Sequence, residues 1–206
     1  MLLIDYTVPS TELDMDEIKL TFATNLFAIM DINQTFMPLL LQAKGTIVNI
    51  GSVAGIMPFI FGGVYNSTKA ALHSYADTLR VELYPWGVHV VNVITGGVKS
   101  NIARTDRQLA PGSLWKDYEA EYQRRLKYSQ EVGQDTATYA RDVFNGVTTS
   151  RGWLWNRNEV WAGGSIQFVQ IVRFLDRWIP GGAWTFVMLR LAHLQHITKD
   201  IKNKQS

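Results

Sequence analysis

The residues best suited to chemistry are a serine, a tyrosine and a lysine within residues 49–72, NIGSVAGIMPFIFGGVYNSTKAAL. Tyr65 and Lys69 are four residues apart, and Ser52 comes thirteen residues before the tyrosine. On a helix, side chains four apart lie on one face, where an ammonium group lowers the pKa of a nearby phenol from about 10. Such a tyrosine can give a proton to a carbonyl oxygen or take it back, so the spacing predicts acid–base chemistry.

The element that carries Ser52 is predicted to be a β-strand. GTIVNIGS is a β-branched run between glycines, which is typical of a strand buried on both faces. Ser52 lies at the carboxyl end of this run, where ligands of open α/β sheets bind. We expect its hydroxyl to hold the same carbonyl oxygen as Tyr65 and to stabilise developing negative charge there.

Tyr65 and Lys69 are predicted to lie on the helix that follows this strand. The helical pattern runs over residues 64–84, and Pro85 and Gly87 end it. GVHVVNVITGG then indicates a second short strand. A strand, a helix and a strand within about fifty residues predict a βαβ unit, whose two strands are parallel.

The remaining elements extend this pattern on both sides. An amino-terminal helix is predicted to begin at Ser10 or Thr11, to kink at Pro38 and to end at Gly45. After a polar and aromatic stretch without a strand period, a further helix is predicted over residues 135–147, and EVWAGG indicates a third strand. The chain is therefore predicted to be an α/β protein.

The composition excludes several classes of function. A chain of 206 residues with 47% apolar and 18% charged residues is long enough for one globular domain. Its net charge of +2 gives no reason to expect nucleic-acid binding. It contains no cysteine, which excludes disulfides and thiolate metal sites. The helically spaced pair His193 and His196 has no acidic companion in the pattern, so no metal site is predicted.

The C-terminal residues differ in character from the rest. Residues 165–179 and 183–197 are aromatic, leucine-rich helical segments separated by Pro180 and two glycines. They are expected either to cover a substrate cleft and pack on the sheet or to form an interfacial membrane anchor, and both alternatives stay open. Their charged residues argue against a membrane-spanning helix. We therefore divide the chain into a domain, residues 1–164, and an apolar helical tail, residues 165–206.

The four polar residues Asn25, Ser52, Tyr65 and Lys69 together resemble the catalytic tetrad of the short-chain dehydrogenase/reductase family. Their separations of 27, 13 and 4 residues match that tetrad, and they lie in the segments TNLF, NIGSVAG and YNSTK. The resemblance implies that Tyr65 is the general acid/base and that Ser52 orients the substrate. It also implies that Lys69 binds the nicotinamide ribose and that Asn25 supports a water-linked proton relay.

A second resemblance lies in VNVITGGVKSNI, which contains the second predicted strand. The family has a Pro-Gly pair after this strand and then a threonine, whereas this sequence has Thr95 where the proline is expected. The resemblance implies that the turn lines the nicotinamide carboxamide and the diphosphate. The predicted cofactor-binding residues are Asn25, Tyr65, Lys69, Gly96, Val98 and Ser100.

Within the family, VYNSTKAALHSYADTLRVEL and VWAGG are similar to the fungal 1-acyldihydroxyacetone-phosphate reductase group. This resemblance implies that NADPH, with NAD less favoured, reduces a ketone to a secondary alcohol on a hydrophobic substrate, an acyl lipid or a secondary-metabolite intermediate. It also implies a cytoplasmic protein that contacts the endoplasmic reticulum or a lipid-droplet surface through its tail. Family members pair through the helices that carry Asn25 and Tyr65, so a homo-oligomer is expected.

One part of the family pattern does not occur in this sequence. The glycine-rich turn TGxxxGxG, the NNAG stretch and the strands that carry them are absent, so a partial Rossmann-like, doubly wound parallel sheet without its first strands is expected. GTIVNIGS would then lie at a sheet edge, partly covered by MLLIDYTV. Three explanations stay open: an incomplete gene model, a truncated relative without activity, and an enzyme that binds its cofactor in another way. The alternative function is a non-catalytic, dimerising or membrane-associated interaction protein.

Overall fold

A three-stranded parallel sheet forms the centre of the fold. The computed structural model describes residues 4–100, 102, 106–149, 158–179, 182–192 and 194–205. The strands are β1 (Thr46–Ile50), β2 (His89–Thr95) and β3 (Glu159–Ala162). Their order in the sheet is β1-β2-β3 and both pairings are parallel, with Val48 opposite Val91 and Val93 opposite Val160. The predicted parallel βαβ unit and the third strand are confirmed.

Helices occupy most of the described chain. They are α1 (Met15–Phe22), α2 (Ala28–Ala43), α3 (Gly63–Leu83), α4 (Glu119–Glu131), α5 (Thr136–Thr149), α6 (Ile166–Asp176), α7 (Ala183–Leu191) and α8 (Leu194–Gln205). The helices predicted over residues 64–84 and 135–147 are therefore confirmed as α3 and α5. Helix α4 has no counterpart in the prediction, because its sequence is mostly polar; of its side chains that the structure describes, only Tyr122 and Leu126 are buried.

The two faces of the sheet are covered by different helices. Alternate residues of a strand point to opposite faces. On one face Ile47 and Val90 pack with Leu79 of α3. On the other face Val91 and Val93 pack with Val160, against apolar side chains of α5. This arrangement, with helices on both faces of a parallel sheet, is the doubly wound architecture that the sequence predicts.

Strand β1 is an edge strand within the described chain, since it pairs with β2 alone. Val48 and Ile50 are 38% and 37% exposed, so the prediction of a strand buried on both faces is wrong for these two residues. Of MLLIDYTV, residues 1–3 lie outside the described residues, and residues 4–8 are not a strand. Their backbone is held by Asn25 and Phe61, through the bonds of Ile4 and Val8.

The amino-terminal helix begins later than Ser10 or Thr11, which makes the predicted start wrong. Asp14 is the N-cap, and its carboxylate accepts hydrogen bonds from the backbone N–H groups of Asp16 and Glu17 at 2.8 and 3.0 Å. A carboxylate at this position satisfies two donors that a helix start leaves free and complements the helix dipole.

The same helix changes its geometry before it ends. A π-helical segment, Ala23–Phe27, joins α1 to α2, and no pattern in the sequence indicates it. The helix continues through Pro38 as predicted and ends at Ala43. The left-handed capping residue is Lys44 with φ 47°, one position before the predicted Gly45, whose N–H bonds to the carbonyl of Leu40 at 2.9 Å.

The C-terminal helices share a core with the sheet. Val169 and Val172 of α6 and Trp184 of α7 pack with Val53 and Ile94. Segment 183–197 contains most of α7 and the start of α8 rather than one helix, while Pro180, Gly181 and His193 lie outside the described residues. None of the described helices is both long and apolar enough to cross a membrane.

Candidate active site

A cavity of about 330 Å³ lies at the carboxyl ends of β1 and β2. Its lining includes the predicted residues Ser52, Tyr65, Lys69, Gly96, Val98 and Ser100. Six of the seven predicted site residues, separated by up to 48 positions in the chain, thus meet at one place. The volume lies within the range of sites that bind small molecules. Asn25 is the exception, since it does not line the cavity.

Ser52 is presented to this cavity by the end of β1. It has an extended backbone, and its hydroxyl oxygen accepts a hydrogen bond from the N–H of Ala54 at 3.1 Å. The Ser52 hydroxyl is also close enough to Tyr65 to lower the pKa of the phenol. Since Ala54 occupies one acceptor position of Ser52, the hydroxyl proton stays available to Tyr65 or to a bound oxygen atom.

The pKa of Tyr65 is raised above its usual value, chiefly because burial disfavours the charged phenolate. The carboxylate of Asp5 raises this pKa further, while the Ser52 hydroxyl and the charge of Arg125 act in the opposite direction. The net direction of the shift is therefore the opposite of the one predicted from the spacing of Tyr65 and Lys69. Tyr65 therefore holds its proton at neutral pH, which is the form that donates to a carbonyl oxygen.

Lys69 is hydrogen-bonded to the end of β1 and not to the Tyr65 hydroxyl. The side chain of Lys69 is fully buried, and its Nζ donates to the carbonyl of Ile50 at 2.9 Å. Nζ lies 5.8 Å from the ring centroid of Tyr65. Burial lowers the pKa of Lys69 to about 8, so most of these side chains still carry a charge at neutral pH. The ammonium is thus directed at the end of β1 as well as at the phenol.

Asn25 lies outside the cavity and holds part of the chain that forms its wall. It lies in the π-helical segment, is fully buried, and its side-chain amide bonds to both backbone groups of Ile4 at 2.8 and 3.0 Å. Its Nδ2 also lies 3.3 Å from the hydroxyl oxygen of Thr68. These bonds fix the chain next to Asp5, which lines the cavity. The relay role of Asn25 stays a prediction.

The turn after β2 approaches the turn after β3 closely. The N–H of Gly96 bonds to the carbonyl of Ala162 at 2.8 Å, and a Cβ atom on Gly96 would lie 2.2 Å from the carbonyl oxygen of Gly164. Only glycine fits there. Thr95, which replaces the expected proline, forms a 2.8 Å hydrogen bond with the hydroxyl of Tyr139, so the departure from the family pattern adds a polar contact at the cavity.

His73 is a site residue that sequence reasoning missed. Its Nε2 accepts a hydrogen bond from the N–H of Ser52 at 3.2 Å, and burial lowers its pKa to about 4. A Cβ atom on Gly51 or Gly55 would come within 2.5 or 2.7 Å of the imidazole, so both glycines make room for it. The available signal was the four-residue spacing of His73 from Lys69.

Asp5 and Arg125 also line the cavity, and neither was predicted from the sequence. They are sixty or more positions from Tyr65 in the chain, and neither belongs to a recognisable motif. With Lys69 they are the charged side chains among the lining residues that the structure describes. The rest of the lining is mainly apolar, for example Val53, Met57 and Phe168.

The described residues fit one end of a nicotinamide cofactor. Lys69 and the turn at Gly96, Val98 and Ser100 lie on one cavity, beside Tyr65, and could hold the nicotinamide and its ribose. Within the residues that the structure describes, no glycine-rich turn follows a strand in the way that a dinucleotide diphosphate requires.

Comparison with known proteins identifies relatives of this chain. The family model described as short chain dehydrogenase matches residues 4–110. The short-chain dehydrogenase virD of Hypocrea virens is 34% identical over 208 residues, which cover 96% of this chain and 70% of the relative. The NADPH-dependent 1-acyldihydroxyacetone phosphate reductase of Schizosaccharomyces pombe is 41% identical over 96 residues, which cover 47% of this chain and 32% of that protein.

A solved structure shows the same fold. A short chain dehydrogenase/reductase from Burkholderia phymatum in complex with NAD superposes with a TM-score of 0.68 at 19% identity, covering 84% of this chain and 62% of that one. This likeness confirms the Rossmann-like fold. The chain spans about two thirds of the length of these two proteins. The matches agree with the tetrad spacing, and the chain belongs to the short-chain dehydrogenase/reductase family of oxidoreductases.

Proposed function

We propose that the protein reduces a ketone on a hydrophobic substrate to a secondary alcohol, with NADPH as the reductant and Tyr65 as the general acid. The observation that carries this proposal is the meeting of Ser52, Tyr65 and Lys69 on one cavity, where burial keeps the Tyr65 phenol protonated. In the reverse direction the same tyrosine would take the proton back.

Each residue has a part in the proton transfer. The hydroxyl groups of Ser52 and Tyr65 both donate hydrogen bonds to the carbonyl oxygen of the substrate. The phenol gives this oxygen a proton as negative charge develops on it. A nicotinamide cofactor held by Lys69 and the Gly96 turn would supply the hydride to the carbonyl carbon. The ammonium of Lys69 stabilises the phenolate that remains, since an opposite charge nearby favours the ionised form.

The substrate class is inferred from the cavity lining. Apolar side chains, among them Met57, Phe59 and Phe168, make up most of the wall around the tyrosine. An apolar wall favours a hydrophobic ketone, because burial of apolar surface supplies the binding energy. The relative named for reduction of 1-acyldihydroxyacetone phosphate with NADPH supports both this substrate class and NADPH as the cofactor.

The test compares two tyrosines of the same helix. NADPH oxidation with a long-chain ketone is measured for the wild type, for Tyr65→Phe and for Tyr75→Phe, whose hydroxyl bonds to Asn33. We expect Tyr65→Phe to lose about a hundredfold to ten-thousandfold in rate, as removal of a general acid does, and Tyr75→Phe to stay near wild type. Equal rates for wild type and Tyr65→Phe would refute the role of Tyr65. A wild type without turnover would favour the non-catalytic alternative.

That alternative rests on the exposed apolar side chains of the amino-terminal helices. Phe27, Ile32, Phe36 and Leu39 are between 46% and 61% exposed. We infer that this face pairs with a second copy of the chain, next to the helix that carries Tyr65. Sedimentation of the wild type and of Phe36→Ser tests the pairing. The wild type should sediment as a dimer and the variant as a monomer, whereas a monomeric wild type contradicts it.

We also propose that the tail contacts lipid. The protein would then be cytoplasmic and lie at the surface of the endoplasmic reticulum or a lipid droplet. The supporting observation is that Phe174, Trp178 and Phe186 are 64%, 74% and 55% exposed although α6 and α7 pack on the core with their other faces. Cosedimentation with phosphatidylcholine vesicles should be reduced in Phe174→Ser/Trp178→Ser. Unchanged partitioning of this variant would rule out the contact.

A further inference from the structure

Arg125 of α4 is held in a fixed position beside the candidate active site. Its Nε donates to the carbonyl of Ile60 at 3.2 Å, and its guanidinium carbon lies 5.1 Å from the ring centroid of Phe59. Arg125 lines the 330 Å³ cavity and also a smaller cavity of about 60 Å³. The guanidinium is therefore part of the wall between the two spaces.

The described part of the chain gives the guanidinium of Arg125 no close anionic partner. Among the described residues no carboxylate lies within ion-pair distance of its guanidinium, whereas the neighbouring Arg124 pairs with Glu121 at 3.8 Å. The carboxylate of Asp5 acts on it from farther away and accepts a 2.7 Å hydrogen bond from Thr7. Burial lowers the pKa of Arg125, but a guanidinium keeps its charge in proteins.

A partly buried cation without an ion-pair partner is stabilised when an anion binds to it. The two terminal nitrogens of a guanidinium match the geometry of a carboxylate or phosphate, to which they can donate two parallel hydrogen bonds. Arg125 and Tyr65 are close enough that the charge of each acts on the pKa of the other. An anion on Arg125 would therefore lie near the reacting carbonyl.

We propose that Arg125 binds an acidic oxygen group, a carboxylate or a phosphate, carried by the same substrate whose ketone is held at Tyr65. This proposal rests on the proposed function, because it assigns the ketone to Tyr65. It makes the substrate amphipathic, with an apolar part against Phe59 and Tyr128 and an acidic group at Arg125. Arg125 is then a specificity-determining residue rather than part of the proton transfer.

The experiment measures binding without NADPH, so it does not depend on turnover. Calorimetry compares hexyl phosphate, hexanoate and hexanol with the full chain. We expect the anionic probes to bind about tenfold to one-hundredfold more tightly than hexanol, as hydrogen bonds to a charged group predict. The better of the two anionic probes identifies the acidic group. Absence of any preference for the anions would overturn the proposal, whatever the result for NADPH oxidation.

Variants assign the preference to Arg125. Arg125→Gln and Arg125→Met, the second of which keeps an apolar stem over Phe59, should both lose the preference, and Arg125→Lys should retain part of it. Arg124→Gln is the matched control, because Arg124 lines the smaller cavity but not the 330 Å³ cavity. The preference of this variant for the anionic probes should equal that of the wild type. Thermal unfolding identifies any variant that fails to fold. A preference that survives in a folded Arg125→Gln or Arg125→Met, or falls equally in Arg124→Gln, would contradict the proposal.

Discussion

The two halves of α3 use the same helical spacing for different purposes. In the first half Tyr65, Lys69 and His73 follow one another every four residues and face the end of β1. In the second half Leu79 and Leu83 continue along the helix, and they pack with apolar residues of β1 and β2. One half places polar groups in a low-dielectric site, and the other half contributes the core that holds the helix on the sheet.

The pKa shifts show that burial of the polar side chains in the first half of α3 is unfavourable. Burial is the first cause of the shift for each of the three polar side chains, raising the pKa of Tyr65 and lowering those of Lys69 and His73 to about 8 and about 4. Desolvation of an ionisable group disfavours its charged form. The second half of the helix must offset this cost through apolar burial. The site is therefore a destabilised region supported by an ordinary core.

The largest stability effect is expected in the second half. Leu79 is 7% exposed, so Leu79→Ala removes buried methyl groups and leaves a cavity, which should lower the free energy of unfolding by about 2–5 kcal/mol. The matched control is Val81→Ala two residues on, where the side chain is 75% exposed and a change within about 0.5 kcal/mol is expected. Urea unfolding measures both. Similar losses at the two positions would contradict the division.

A smaller effect is expected for Lys69→Met, and it depends on pH. The unfolded chain binds the lysine proton up to about pH 10.5, whereas the folded chain releases it near pH 8, so stability increases as pH rises through this window. Between pH 7.5 and 9.5 the wild type should gain about 2 kcal/mol relative to Lys69→Met. The exposed Lys127→Met is the control. Parallel stability curves for wild type and Lys69→Met would show that Lys69 is not desolvated.

The smallest effect is expected for His73→Gln, with the same pH direction as for Lys69 but in a lower pH window. The unfolded chain gains the imidazole proton below about pH 6.5, while the folded chain resists it down to about pH 4, so stability is lost as pH falls through this window. Between pH 7 and 5 the wild type should lose about 1 kcal/mol more than His73→Gln, a figure reduced for the partial exposure of the imidazole. His89→Gln, at an exposed position, serves as the control. A wild type that loses no more than the variant would argue against a neutral, buried His73.

The sequence predicted those parts of the site that lie on regular elements close in the chain. The period of residues 46–50 and 64–84 defined β1 and α3, and four-residue spacing placed Tyr65 and Lys69 on one face. Periodicity cannot report desolvation, so the direction of the Tyr65 pKa was predicted wrongly. Periodicity also cannot show whether a strand lies at the edge of a sheet. Val48 and Ile50 are exposed because β1 pairs with β2 alone within the described chain. Asp5 and Arg125 reach the cavity only through tertiary folding, and no local pattern indicates them.

In the proposed reaction Ser52 and Tyr65 act as one unit on a single carbonyl oxygen. A cycle of Ser52→Ala, Tyr65→Phe and the double variant, measured by NADPH oxidation with a saturating long-chain ketone, tests it most directly. Residues that act as a unit are strongly non-additive. The double variant should therefore be no more than about threefold slower than Tyr65→Phe alone. Two losses that multiply in the double variant would contradict the claim, because Ser52 and Tyr65 would then act independently.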